Sequence, residues 1–187
     1  GLIVKATGVV RRIDDLGRVV IPKEIRKTLR IKEGDPLEIF TDKEGEVILK
    51  KYSPIGELSE FATEYAETLA KTTGHIACIT DKDTVIAVSG ASKKEFLEQG
   101  ISEELEKLLE DKENYTSKEN NDVSVPITRN DNKDRKFNSQ VVYPIISDGD
   151  VIGSVILLSK DSGTKMSEVE QKVVQSAASF LGRQMEI

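Results

Sequence analysis

Apolar positions in residues 8–52 fall into short runs with a strand-like period of two, broken by one helical stretch. Gly8–Ile13 reads as a strand, and Asp14–Gly17 reads as a turn in which side chains bond the nearby backbone. Arg18–Ile21 reads as a second strand. Pro22 is well placed as a first helical residue, which predicts a helix over Lys23–Leu29 with Ile25 and Leu29 on one face and Lys23, Arg26 and Lys27 directed elsewhere. After a turn at Gly34-Asp35, Leu37, Ile39, Val47 and Leu49 alternate with Glu38, Phe40, Ile48 and Lys50 around Asp42–Gly45, which predicts a hairpin with one buried face.

Beyond Ser53-Pro54-Ile55, read as a linker, the pattern changes. Leu58, Phe61, Ala62, Tyr65, Ala66 and Leu69 mark an amphipathic helix ending at Gly74. Two strands follow at 75–80 and 84–88, then a helix carrying Ile101, Leu105, Leu108 and Leu109. Residues 111–139 are polar and read as loop, short strand at 123–127, and loop. Gln140–Ile146 and Val151–Leu158 read as strands around a turn. Ser167 with Glu170 forms a capping box that opens a last helix bearing Val169, Val173, Ala177, Phe180 and Leu181. This order predicts an α+β fold in two parts: a small head at 5–52 and a helix-flanked antiparallel sheet at 56–187.

Charge sharpens the division. The whole chain has a net charge of −6, yet residues 1–52 hold twelve Lys and Arg against nine Asp and Glu, and the rest hold fifteen against twenty-four. A basic head on an acidic body fits one end that meets a polyanion. The competing reading, a solvated basic face, is left open by charge alone. The head is also small. About 50 residues are at the lower limit for a self-sufficient core, and this segment has only Phe40 and Tyr52 as aromatic residues. A two-fold dimer that merges two small sheets would complete the core and duplicate Arg11, Arg12, Arg18, Arg26 and Lys27 across the axis.

Residues 5–40, KATGVVRRIDDLGRVVIPKEIRKTLRIKEGDPLEIF, resemble the AbrB-type swapped-hairpin DNA-binding domain, and the likeness continues to Lys50-Lys51-Tyr52-Ser53-Pro54. With the C-terminal part included, the chain resembles regulators of endospore-forming bacteria that pair such a head with a GAF-like domain. The resemblance implies an interleaved, barrel-like dimer that binds double-stranded DNA and reads groove shape more than strict base sequence. It places the DNA contacts on Arg11, Arg18, Arg26 and Lys27, with Lys5 and Arg12 flanking. Lys27 stands where the family often has arginine, so it offers a point charge in place of a fork. The resemblance also implies a dimer of dimers, a homotetramer held by helices of the C-terminal parts. Activation and repression of sporulation genes, and a small-molecule ligand of the GAF-like part, follow from it too.

Other chemistry is thinly represented. An antitoxin-like autoregulator shares the head's fold class, but it would carry an unpatterned polar tail where this chain is periodic. His75 is the single histidine, which argues against a metal site. Cys78, the single cysteine, lies in an apolar run and reads as an inert core thiol in a reducing, cytoplasmic setting. Asp14-Asp15 reads as a turn that organises nearby arginines, not as a catalytic pair. Ser89–Lys94 reads as a strand-to-helix turn, with anion binding at a helix start as the sharper alternative. No clustered acid, base or nucleophile suggests an enzyme, and no cofactor is expected. No run approaches the roughly 18 apolar residues of a membrane span. Gly1–Val4 lacks the features of a signal peptide and reads as a fusion remnant, with Val4 where an initiating methionine is expected.

Overall fold

The computed structural model describes residues 8–117, 124–131, 139–161 and 164–186. The chain divides between Tyr52 and Ser53 into two units.

Unit 1 begins with a turn, not a ladder. Asp14 N–H donates to the Arg18 carbonyl at 3.0 Å and Gly17 N–H to the Asp14 carbonyl at 3.1 Å, with Gly17 at φ +78°, a conformation that glycine adopts without steric cost. The flanking runs, expected as strands, form none within the chain. A strand needs a paired edge and a face to pack, and these runs have neither here: Val10 is 88% exposed, and Val9, Ile13, Val19 and Val20 are all more than half exposed. Helix α1 spans Lys23–Leu29 and closes at Arg30 in the left-handed region, with Ile31 N–H bonded to the Arg26 carbonyl. Strands β1 (Leu37–Thr41) and β2 (Val47–Lys51) make the hairpin in register Ile39 to Leu49. Its expected buried face is not buried: Ile39, Val47 and Leu49 are exposed, and so are Phe40 and Ile48 on the other face. The alternation is present, but one chain supplies nothing to cover it. Among the described residues of unit 1, none is buried.

Unit 2 encloses two apolar layers. Ile55, assigned by sequence to the linker, is fully buried at the start of a 3₁₀ turn, Ile55–Leu58. The main elements are α2 (Ser59–Thr73), β3 (Ile76–Asp81), β4 (Val85–Ser89), the short α3 (Lys93–Phe96), α4 (Glu103–Glu110), β5 (Tyr115–Thr116), β6 (Ser139–Ser147), β7 (Asp150–Ser159) and α5 (Glu168–Gln184). The strands form one antiparallel sheet in the order β4-β3-β7-β6-β5. Alternation along the strands sorts the side chains by face. Ala77, Ile79, Val155, Leu157, Val141 and Ile145 pack with Ala62, Ala66 and Leu69 of α2 and with Val174, Ala177 and Leu181 of α5. Cys78, Ile156, Leu158 and Val142 pack with Phe96, Leu105, Leu109 and Ile127 on the other side.

Of the strand expected at 123–127, Val123 lies outside the described residues, and 124–127 have no ladder; side chains and the Ser102 N–H satisfy their backbone instead. The Gln140 amide, fully buried on β6, accepts from Val125 N–H at 2.6 Å and donates to the Val125 carbonyl at 3.0 Å. Ser102 N–H donates to the Ile127 carbonyl, and Asp131 accepts from Ile127 N–H. A single bridge joins Thr128 to Ile101. A buried segment without these partners would leave orphan polar groups.

Candidate nucleic-acid interface

The expected basic residues lie on the irregular and helical parts of unit 1. Arg18 is the most ordered by its surroundings. Asp14 Oδ1 accepts from the backbone N–H groups of Leu16 at 2.9 Å and Arg18 at 2.8 Å, which fixes the carboxylate against the turn. Its other oxygen, Oδ2, accepts from Arg18 Nε at 2.7 Å. The Arg18 N–H first, then its guanidinium and the Leu16 N–H, hold the Asp14 carboxyl below the usual carboxylate range. The Arg18 side chain remains 71% exposed.

Three residues on, the run that starts at Arg18 reaches Ile21, whose carbonyl accepts from Arg26 Nε at 3.1 Å. Arg18 and Arg26 thus each have a guanidinium tethered by Nε. Arg11 Nη1 lies 3.4 Å from the Val10 carbonyl, a long contact. Arg11, Arg12, Arg26 and Lys27 are all exposed, and Lys5 lies outside the described residues. Sequence reasoning anticipated that the Asp14-Asp15 turn organises nearby arginines, but not that Arg18 and Arg26 are each held by Nε. Asp14 was legible as a turn residue, but the i to i+4 reach from Asp14 to Arg18 across the turn is a tertiary detail of the side chains. Lys50, whose Nζ sits 5.4 Å over the Phe40 ring, is a further cation of this unit.

The competing chemistry finds little support in the geometry. Asp42, Glu44 and Glu46 bring carboxylate oxygens within 4.8 Å of one another at the β1–β2 turn. Asp42 Oδ1 there already accepts from the N–H groups of Glu44 and Glu46, the ordinary work of an aspartate in a turn. His75 Nε2 faces Glu170 Oε1 at 3.4 Å. Cys78 is fully buried, and burial, then the Asp131 charge, pushes its thiol up to about 12. A thiol so protonated is a poor nucleophile. Ser92 caps the four-residue α3 without a side-chain cap bond, and the segment reads as a turn.

A second exposed surface lies on unit 2. Phe61 and Tyr65 of α2 and Phe180 of α5 form a triad of rings with centroids 6.0–6.2 Å apart. Phe61 is 40% and Phe180 42% exposed. Leu58, read from sequence as part of the same helix's apolar stripe, packs against the unit's own core, as Tyr65 also does.

Comparison with known proteins divides the chain a few residues beyond the boundary between the two units. Residues 57–186 match the family model described as "Stage V sporulation protein T C-terminal, transcription factor". Residues 10–57 match the model for "Antidote-toxin recognition MazE, bacterial antitoxin". The chain is 57% identical over 182 residues to the stage V sporulation protein T of Bacillus subtilis (strain 168), covering 97% of this chain and 99% of that protein. Over 53 residues it is 58% identical to the transition state regulatory protein AbrB of the same organism, covering 28% of this chain and 54% of AbrB. Unit 2 has the fold of the GAF domain from an Acinetobacter phosphoenolpyruvate-protein phosphotransferase. That likeness has a TM-score of 0.54 at 12% identity, covering 68% of this chain and 81% of that one.

Proposed function

Since the chain belongs to the stage V sporulation protein T family, we propose that it grips double-stranded DNA through Arg11, Arg18 and Arg26, with Arg12, Lys27 and Lys5 flanking. It is a transcription regulator of sporulation genes with an AbrB-like head and a GAF-like C-terminal domain. The observation that carries the residue-level reading is a pair of exposed guanidinium groups held by Nε, that of Arg18 by Asp14 and that of Arg26 by the Ile21 carbonyl. A tethered arginine keeps its Nη edge for phosphate or guanine, and its planar fork suits both.

The head binds as a dimer in this reading. What supports it is a unit with strand-like sequence, no internal ladder at 8–21 and an uncovered hairpin. A second copy offers both the missing edges and the missing core. Two such dimers then join through the rings of Phe61, Tyr65 and Phe180 into a tetramer. An antitoxin role fits less well, because residues from Ile55 onward build a packed domain where a toxin-wrapping tail would be unstructured. A small-molecule ligand of unit 2 is suggested by its fold alone.

The test is substitution in the full chain. Arg11→Ala, Arg18→Ala and Arg26→Ala should each weaken binding to promoter DNA while circular dichroism and light scattering stay unchanged. Full-strength binding by a folded variant removes that residue from the interface.

A further inference from the structure

Asp14 is an acidic residue placed among the cations of a surface assigned to a polyanion. A carboxylate there repels phosphate, so a turn serving affinity alone would do better with asparagine or serine, which also bond backbone N–H groups. Yet Asp14 does more than close the turn. Its Oδ1 is held by the N–H groups of Leu16 and Arg18, and this orients Oδ2 toward Arg18 Nε at 2.7 Å.

We propose that Asp14 is a positioning residue that sets the specificity of DNA recognition: it fixes Arg18 by Nε and presents the Nη edge as a rigid fork. The inference rests on the reading above that Arg18 contacts DNA. An exposed arginine loses rotamer freedom when it binds, and a preformed fork has less to lose. The benefit goes to ligands whose acceptors match the fixed fork. Loosely placed phosphates gain nothing from it, and the Asp14 charge weakens their attraction. Asp14 therefore trades general affinity for discrimination. An aspartate is ionised throughout the neutral range, and the bonds from Arg18 and Leu16 favour the charged form further.

The experiment uses the full chain and two probes: a duplex enriched by the wild-type protein from a randomised library, and a scrambled duplex of the same composition. Affinities for both are measured across a salt series for wild type, Asp14→Asn, Arg18→Lys and the double variant. Arg18→Lys should weaken the enriched duplex. Asp14→Asn keeps an oxygen for the turn but loses the charge and the Nε contact. It should lower the enriched-to-scrambled ratio by about fivefold or more, the scale of one well-oriented arginine contact. Scrambled-duplex affinity should hold or rise, with a salt slope steeper by up to about one phosphate. In the Arg18→Lys background, Asp14→Asn should not change the ratio further.

An unchanged ratio in folded Asp14→Asn overturns the proposal. So does an equal loss on both duplexes, which marks a turn cap and nothing more. If Asp14→Asn does not fold, Asp14→Ser takes its place, and failure of both to fold makes Asp14 structural and also overturns it. Arg18→Lys binding both duplexes like wild type would instead refute the DNA contact of Arg18 itself.

Discussion

Cys78 presents its thiol to the enclosed layer between the sheet and α3–α4, where burial and then the Asp131 charge raise its pKa to about 12. The thiol should resist Ellman's reagent at pH 8 in the folded chain and react fully once denaturant unfolds unit 2. The raised pKa fixes the sign of a pH effect. The folded state keeps its proton at a pH where the unfolded thiol, with an ordinary value near 9, has lost it. Stability from this group is complete below that value and declines as pH rises toward 12, by about 1.4 kcal/mol per unit. Chemical denaturation from pH 8 to 10.5 should show Cys78→Ala lacking that part of the slope; identical slopes would place the thiol in contact with water. Both the inert thiol and the turn role of Asp14 were legible in sequence, because they follow from local context. That this turn organises arginines was legible too, but the Nε geometry of the Asp14–Arg18 tether and the His75–Glu170 contact were not, since one depends on side-chain reach and the other joins residues 95 apart.

Helix α5 shows what a sequence can and cannot announce about an element. Its start is explicit: Ser167 and Glu170 form the capping box, Val169 N–H donates to the Ser167 hydroxyl, and Ser167 N–H donates to Glu170 at 2.9 Å. Burial works against the Glu170 charge, but the bonds from Ser167 and His75 outweigh it and lower its pKa. Ser167→Ala should cost about 1 kcal/mol in urea unfolding of the chain. Its end is less obvious. Gly182 is buried where α5 crosses β6, and a Cβ there would meet the Ile146 carbonyl oxygen at 2.1 Å. Gly182→Ala should therefore destabilise by about 1–3 kcal/mol or more, although alanine favours helices elsewhere; a neutral effect would mean that α5 stands farther from the sheet. The long elements of unit 2 were readable because their periodic faces are satisfied within the chain. The two-residue β5, the single-turn α3 and the Gln140-held segment at 124–127 were not, because each depends on partners distant in sequence. The strands expected at 8–13 and 18–21 carry the pattern of a sheet without a ladder in one chain, and the pattern alone could not say whose edge would pair with them.

On the scale of the whole molecule, a head with no buried residue among those described and a body with two closed layers should differ in their need for company. Residues 5–52 alone should be dimeric by light scattering, and a monomeric, folded fragment would refute the shared core. The full chain should be larger, and Phe61→Ser with Phe180→Ser should return it toward a dimer while leaving short single-site duplexes bound. Duplicated arginines neutralising on the order of 6–10 phosphates should lose about 10³–10⁵ in affinity between 50 and 200 mM salt. The sheet order also has a consequence for synthesis. In β3, Ile76 pairs with Leu158, so the central ladder of unit 2 cannot close until more than four-fifths of the chain has left the ribosome. The head, whose sequence is finished by residue 52, needs none of that wait. A message cut short after the head would therefore yield no closed C-terminal sheet, but under the dimer proposed above it would still yield heads able to pair with intact copies. Such fragments should act as dominant poisons, occupying DNA in mixed dimers that lack half of their assembly surface.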